Sequence, residues 1–103
     1  MTYRLRVTAR AVGDADAAHA WIAEQISPAQ AERWYQGLFE KMETLTRHPT
    51  RCPLAAESDR FPEDIRELLY GKRKNKYRIL FTIRNEDVVV LYVQHAARQE
   101  LEP

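Results

Sequence analysis

The chain has little of several things that would have narrowed its chemistry at once. It holds one cysteine, Cys52, and three histidines among 103 residues. A lone cysteine closes no intramolecular disulfide, and no Cys/His set has metal-ligand spacing, so a reducing compartment and no metal are expected. There are only three glycines, Gly13, Gly37 and Gly71. They are too few for a phosphate-cradling loop, and Walker, Rossmann and G-x-S-x-G patterns are absent, so no cofactor is expected. The longest apolar run, Val88 to Val93, is far short of the roughly 20 residues that cross a bilayer. The opening Met1-Thr2-Tyr3-Arg4-Leu5-Arg6-Val7 has no apolar core of the kind a signal peptide needs. A cytoplasmic protein without membrane contact is the expectation.

What is present is ordinary in amount and uneven in placement. The length suits one domain spanning residues 1–103, with 45% hydrophobic and 30% charged residues to build one modest core under a well-solvated surface. The formal net charge is only +1, but the charges are segregated. From Leu68 to Asn85 no acidic residue occurs, while Lys72, Arg73, Lys74, Lys76, Arg78 and Arg84 are basic. The preceding stretch, Cys52 to Glu67, carries Glu57, Asp59, Glu63, Asp64 and Glu67 against Arg60 and Arg66. Such segregation informs more than the total.

Periodicity divides the chain into six elements. Tyr3, Leu5 and Val7 alternate with Arg4, Arg6 and Thr8, the period of a half-buried strand. Gly13 and Asp14 break the run, with Asp14 expected to cap a helix carrying Ala18, Trp21, Ile22 and Ile26. Ser27-Pro28 ends that helix and starts a second, running to about Arg47, since proline suits a first helical position. Its stripe is Ala31, Trp34, Tyr35, Leu38, Met42 and Leu45. His48-Pro49 closes it, because the residue before proline is pushed out of the helical region. Pro49 to Pro62, with three prolines, reads as a loop. Short strand Ile65–Tyr70, basic turn Gly71–Lys76, strand Tyr77–Arg84 and strand Val88–His95 follow. In the Tyr77–Arg84 strand, Tyr77, Ile79, Phe81 and Ile83 share one face; Leu80 departs from the alternation. The order β-α-α-β-β-β predicts an α+β fold, a helical hairpin on a mainly antiparallel four-stranded sheet.

Three groups of residues are candidates for chemistry. Lys72, Arg73, Lys74 and Lys76, with Tyr77 beside them, have the character of an anion-binding, target-binding surface, or of a solvated turn. Arg78, facing away from Tyr77 and Ile79, is expected to project from the open side of the sheet, to hold a phosphate or pair with a carboxylate. His95 and Arg98, at the end of the last strand, have the makings of a proton donor and a charge stabiliser, or of a sheet-edge histidine and a surface arginine.

The run Tyr77-Arg78-Ile79-Leu80-Phe81-Thr82-Ile83, a turn, then Val88-Val89-Val90-Leu91-Tyr92-Val93 and His95-Ala96-Ala97-Arg98 resembles the C-terminal signature of RelE/ParE toxins. The segment Ile65 to Arg73 and the hairpin with Ala31, Trp34, Leu38 and His48-Pro49 extend the likeness over nearly the whole chain. The resemblance implies a plasmid-stabilisation toxin neutralised by a small ParD- or RelB-like antitoxin encoded nearby, docked on the Trp21/Trp34 hairpin or along the sheet. A ParE-like member inhibits DNA gyrase. A RelE-like member is a metal-independent ribonuclease that cleaves mRNA on the ribosome, and Arg78 and Arg98 match two of its arginines. The other matches fail: Leu68, Leu69 and Tyr70 stand where such nucleases place acid/base groups, and no aromatic follows Arg98. The gyrase reading leads, with the nuclease and a non-toxic basic binding module as alternatives.

Overall fold

A computed structural model describes residues 2–97. Strand β1 (Arg4–Val7) runs into helices α1 (Ala9–Gln25) and α2 (Pro28–Glu43). Three strands, β2 (Arg66–Lys72), β3 (Asn75–Arg84) and β4 (Asp87–His95), follow a segment with 3-10 turns at Thr44–Thr46, Pro49–Arg51 and Ser58–Arg60. The sheet order is β1-β4-β3-β2, with β1 parallel to β4 and the other pairs antiparallel. The α+β architecture predicted from periodicity is the observed one.

The helices begin where their caps place them. Ser27 accepts a hydrogen bond from the Gln30 N–H at 3.1 Å and Pro28 opens α2, satisfying one orphan donor and wasting none. The cap of α1 lies earlier than expected. Thr8, not Asp14, is the N-cap, its hydroxyl accepting from the Ala11 N–H at 3.1 Å. Gly13 and Asp14 therefore fall inside the helix. Ala9 to Val12 contain no breaker, and one solvated glycine costs a helix only about 1 kcal/mol, too little to stop it. Asp14 does a different job: its Oδ2 accepts the Val93 N–H at 3.0 Å. β1 stops pairing at Val7, opposite Val90, so that carboxylate serves a β4 amide beyond the end of the neighbouring strand.

Phe81 pairs with Val90 but Leu80 with Tyr92, so Leu91 is an extra residue in β4, a β-bulge. The Leu91 carbonyl accepts the Thr8 hydroxyl at 3.1 Å. The extra residue reverses the alternation: Val88 and Val90 face the helices before it, Val93 after it. His95, opposite Tyr77, comes to the helix face by the same step.

The main core lies between the hairpin and this face, with Leu38, Met42 and Leu45 against Ile79, Phe81, Val88 and Val90, all fully buried. Each such side chain contributes roughly 1.5–3 kcal/mol. The other face is not open. The chain from Cys52 to Ile65 lies against it, and Ala55 and Ile65 bury Leu80 together with Phe61, Leu91 and Tyr92. Leu80 breaks the apolar alternation because it belongs to this second, smaller core. The segment closes on itself through Ala55 N–H to Ile65 C=O (2.8 Å) and is pinned to the edge strand by Glu67 N–H to Pro53 C=O (3.0 Å). His48 takes a left-handed backbone (φ 47), outside the right-handed helix but not in the extended region that a position before proline favours.

Candidate binding site

The last turns of α1, the adjoining face of α2 and the β2–β3 hairpin enclose a groove of about 550 Å³. Trp34 is set into it, its ring centroid 4.9 Å from that of Tyr77 and 6.2 Å from that of Tyr70. The Tyr70 hydroxyl donates to the Trp34 carbonyl at 2.9 Å, and burial pushes its pKa upward, which keeps it a donor. A Cβ at position 37 would collide with that hydroxyl, so the mid-helix Gly37 is the clearance for Tyr70. Trp21 and Ile26 stand on the rim, 54% and 51% exposed. The structure thus gathers the two tryptophans of the sequence reading on one groove. A second hollow of about 510 Å³, lined by Asp14, Val93 and His95 among others, shares Trp21 and Tyr77 with the first.

The cationic turn adjoins this groove. Lys72, Arg73, Lys74 and Lys76 are all exposed, and the turn itself is only Arg73–Lys74, the flanking lysines standing in the strands. Gly71 has φ +116, and a Cβ there would strike the Asn75 carbonyl, so only glycine fits where the two strands close up. Arg33, Lys41 and Lys72 line the groove, and among the described residues no carboxylate does. Tyr77 differs from its expected role. It is 7% exposed, held between Trp34 and the His95 ring, the latter edge-on with centroids 5.0 Å apart, because its parity on β3 directs it to the helix face.

Arg78 takes the carboxylate-pairing alternative, but not on the open face expected for it. It is 8% exposed and closed in by the 52–65 segment. Its Nη2 donates to Glu57 at 2.5 Å, its Nη1 to the Gln94 side chain at 3.3 Å, and its Nε to Glu67. Glu57 is fully buried. The hydrogen bond to Glu57, ahead of that to Glu67, raises the arginine pKa above its ordinary value. A buried cation must have such partners, since its desolvation is otherwise prohibitive. The residue is therefore the centre of a buried ionic clasp, not a projection from an open face. His95 lies on the opposite face, with its Nδ1 accepting the Ala97 N–H at 3.1 Å, which leaves Nε2 as the protonated nitrogen of the neutral ring. The structure does not bring Arg78 and His95 together. Arg98 lies outside the described residues.

Arg33, Lys41 and Gln94 are not singled out from the sequence, where Ile26, Glu57 and Glu67 stand out only as a helix residue and as members of the acidic stretch. For Trp34 and Lys41 a signal existed: seven residues apart on a helix, they share a face. No comparable pattern links Arg78 to a carboxylate in an irregular segment. Cys52 is buried and its thiol pKa is pushed up by that burial, the reverse of what a nucleophile needs. Among the described residues no His, Cys, Asp and Glu cluster able to hold a metal is present, and no helix is long and apolar enough to cross a membrane.

Over residues 5–100 the chain matches the family model of the ParE toxin of the type II toxin-antitoxin system, parDE. Among solved structures it is similar to a chain of the chromosomal ParDE TA system from P. aeruginosa, with a TM-score of 0.74 and 19% identity. That likeness covers 91% of this chain and 96% of the other, and at such identity it speaks for the fold. No curated protein matches the chain.

Proposed function

The chain belongs to the ParE toxin family of type II toxin-antitoxin systems, and from that premise we propose that it arrests growth by inhibiting DNA gyrase until a small antitoxin, encoded beside it, neutralises it in the cytoplasm. The observation that carries the choice of target is the clasp around Arg78. A metal-free nuclease must bring a cation to the scissile phosphate and a proton donor within hydrogen-bond reach. Here the strand arginine is occupied by Glu57 and Glu67, and His95 is on the other face of the sheet. Inhibition by binding needs an exposed surface and no such constellation.

The groove between Trp21 and Trp34 is the antitoxin seat in this reading. Its exposed Trp21 and Ile26 suit the apolar face of an amphipathic segment, and Arg33, Lys41 and Lys72 suit acidic residues along the rim of that segment. In a supercoiling assay with purified gyrase, the protein is expected to block supercoiling and to accumulate cleaved DNA. Undiminished supercoiling at saturating protein overturns the gyrase reading, and growth that continues on induction without antitoxin overturns the toxin reading.

A further inference from the structure

Several basic side chains of this protein have carboxylate partners, while Arg51 and Arg66 bond to backbone carbonyls. On the strands, Arg4 and Arg6 pair with Asp87, Arg78 with Glu57 and Glu67, and Arg84 with Glu63. On α1, Arg10 pairs with Asp14. The cations of the β2–β3 hairpin have no such partner among the described residues and stand closest together in sequence. Lys72, Arg73, Lys74 and Lys76 are exposed and form no ion pair with any described residue. The acidic stretch that precedes them in sequence does not neutralise them, because Glu57, Glu63 and Glu67 are turned to Arg78 and Arg84. An excess of one sign concentrated at one end makes a local positive field, although the whole chain carries only +1.

The backbone adds an independent observation. Arg73 has φ 54, in the left-handed region that glycine and asparagine enter at lower cost than arginine. Hairpin turns of two residues normally place Gly, Asn or Asp at such a position. A cation there is held against the local preference, and no contact within the described residues compensates it. Backbone strain of this kind gathers at functional sites.

We propose that this hairpin tip binds the phosphate backbone of DNA, so that the toxin holds the nucleic acid on which its target works. The inference rests on the gyrase reading for its biological setting, and on the four free cations for its chemistry. Phosphate contacts by lysine and arginine position a protein without reading sequence. An acidic polypeptide is the competing occupant, and duplex DNA is favoured by the compactness of the tip: four cations on five consecutive positions, Lys72 to Lys76, match the dense charge of a duplex.

The test is fluorescence anisotropy of the full chain with a labelled 25-base-pair duplex of arbitrary sequence, titrated across salt. For about four phosphate contacts the affinity should fall with a log–log slope near −3.6, about 150-fold between about 50 and 200 mM salt. The variant Lys72→Gln/Arg73→Asn/Lys74→Gln/Lys76→Gln should lose binding and slope while keeping its circular dichroism and melting temperature. Lys72→Arg/Lys74→Arg/Lys76→Arg, which keeps charge, should retain both, and it guards against misfolding as the explanation. Absence of duplex binding by the parent chain at about 50 mM salt, an unchanged affinity in the neutralised variant, or equal competition by polyglutamate at matched charge each overturn the proposal. Growth arrest on induction is read in parallel. Arrest by a chain that does not bind duplex removes this inference and leaves the toxin reading. Duplex binding by a chain that does not arrest growth removes the toxin reading.

Discussion

The two faces of β3 are held by different physics. Tyr77, Ile79, Phe81 and Ile83 meet the helical hairpin, and that face is assembled by apolar burial among Leu38, Met42 and Val90. Arg78, Leu80, Thr82 and Arg84 meet the 52–65 segment, where a small apolar patch is framed by polar contacts. Those contacts are the Arg78 clasp, the Thr82 hydroxyl donating to the Asp64 carbonyl at 2.9 Å, and Arg84 on Glu63 at 2.7 and 2.8 Å. The first face tolerates any residue of suitable size and shape, since apolar attraction has no direction. The second demands particular partners at particular atoms, so it positions an irregular segment that burial alone would leave mobile.

That contrast can be broken from the helix side first. Phe81→Ala removes a fully buried ring from the apolar face and should destabilise the fold by roughly 4 kcal/mol, read as a lowered urea midpoint. On the polar face, Glu57→Ala leaves Arg78 with Glu67 as its remaining carboxylate partner among those described. A loss of about 3 kcal/mol is expected, with faster hydrogen exchange at the Ala55 and Ile65 amides before global unfolding. A loss under about 1 kcal/mol would mean that the segment is held by its apolar patch and that the clasp is incidental.

A smaller effect sharpens the helix-side reading. Gly37→Ala gains about 1 kcal/mol of helix propensity but collides with the Tyr70 hydroxyl, and should destabilise by about 1 kcal/mol net. In a Tyr70→Phe background the same substitution should become neutral or stabilising, and a double-mutant cycle reads the coupling.

The smallest effect concerns Asp87, on the face away from the helices. The hydrogen bond from Arg4, then that from Arg6, holds its carboxyl below the usual range. A carboxylate depressed in the folded state stabilises fully above its unfolded pKa, near 4, and that stability is lost as pH falls through the folded value. The stability difference between the parent chain and Asp87→Asn should be present at about pH 6 and vanish near pH 2. A difference that grows on acidification would contradict the pairing.

How much of this was legible beforehand follows the same division. The helix stripes, the Ser27-Pro28 cap and the alternation from Tyr77 to Ile83 predicted their elements, because each rests on neighbours within a turn or a strand. The start of α1 was misplaced by six residues, Thr8 for Asp14, since a cap and a strand-side acceptor use the same kind of side chain. The bulge at Leu91 was hidden because an all-apolar strand has no alternation to interrupt. The Trp21 and Trp34 groove was half visible: the tryptophans stood out, while Arg33 and Lys41 passed as solvated helix charges.

By itself the sequence determined the order of elements, the apolar face of the sheet, the family and the cationic turn, all written in local period or local charge. Which arginine is free was decided only by the tertiary structure. Arg78 and Arg73 are the same residue type five positions apart, yet one is enclosed by Glu57 and Glu67 and the other stands in solvent. The partners of Arg78 lie 21 and 11 residues away: Glu67 on the neighbouring strand, and Glu57 in a segment without periodicity, so the clasp closes only once that segment has folded back over the sheet.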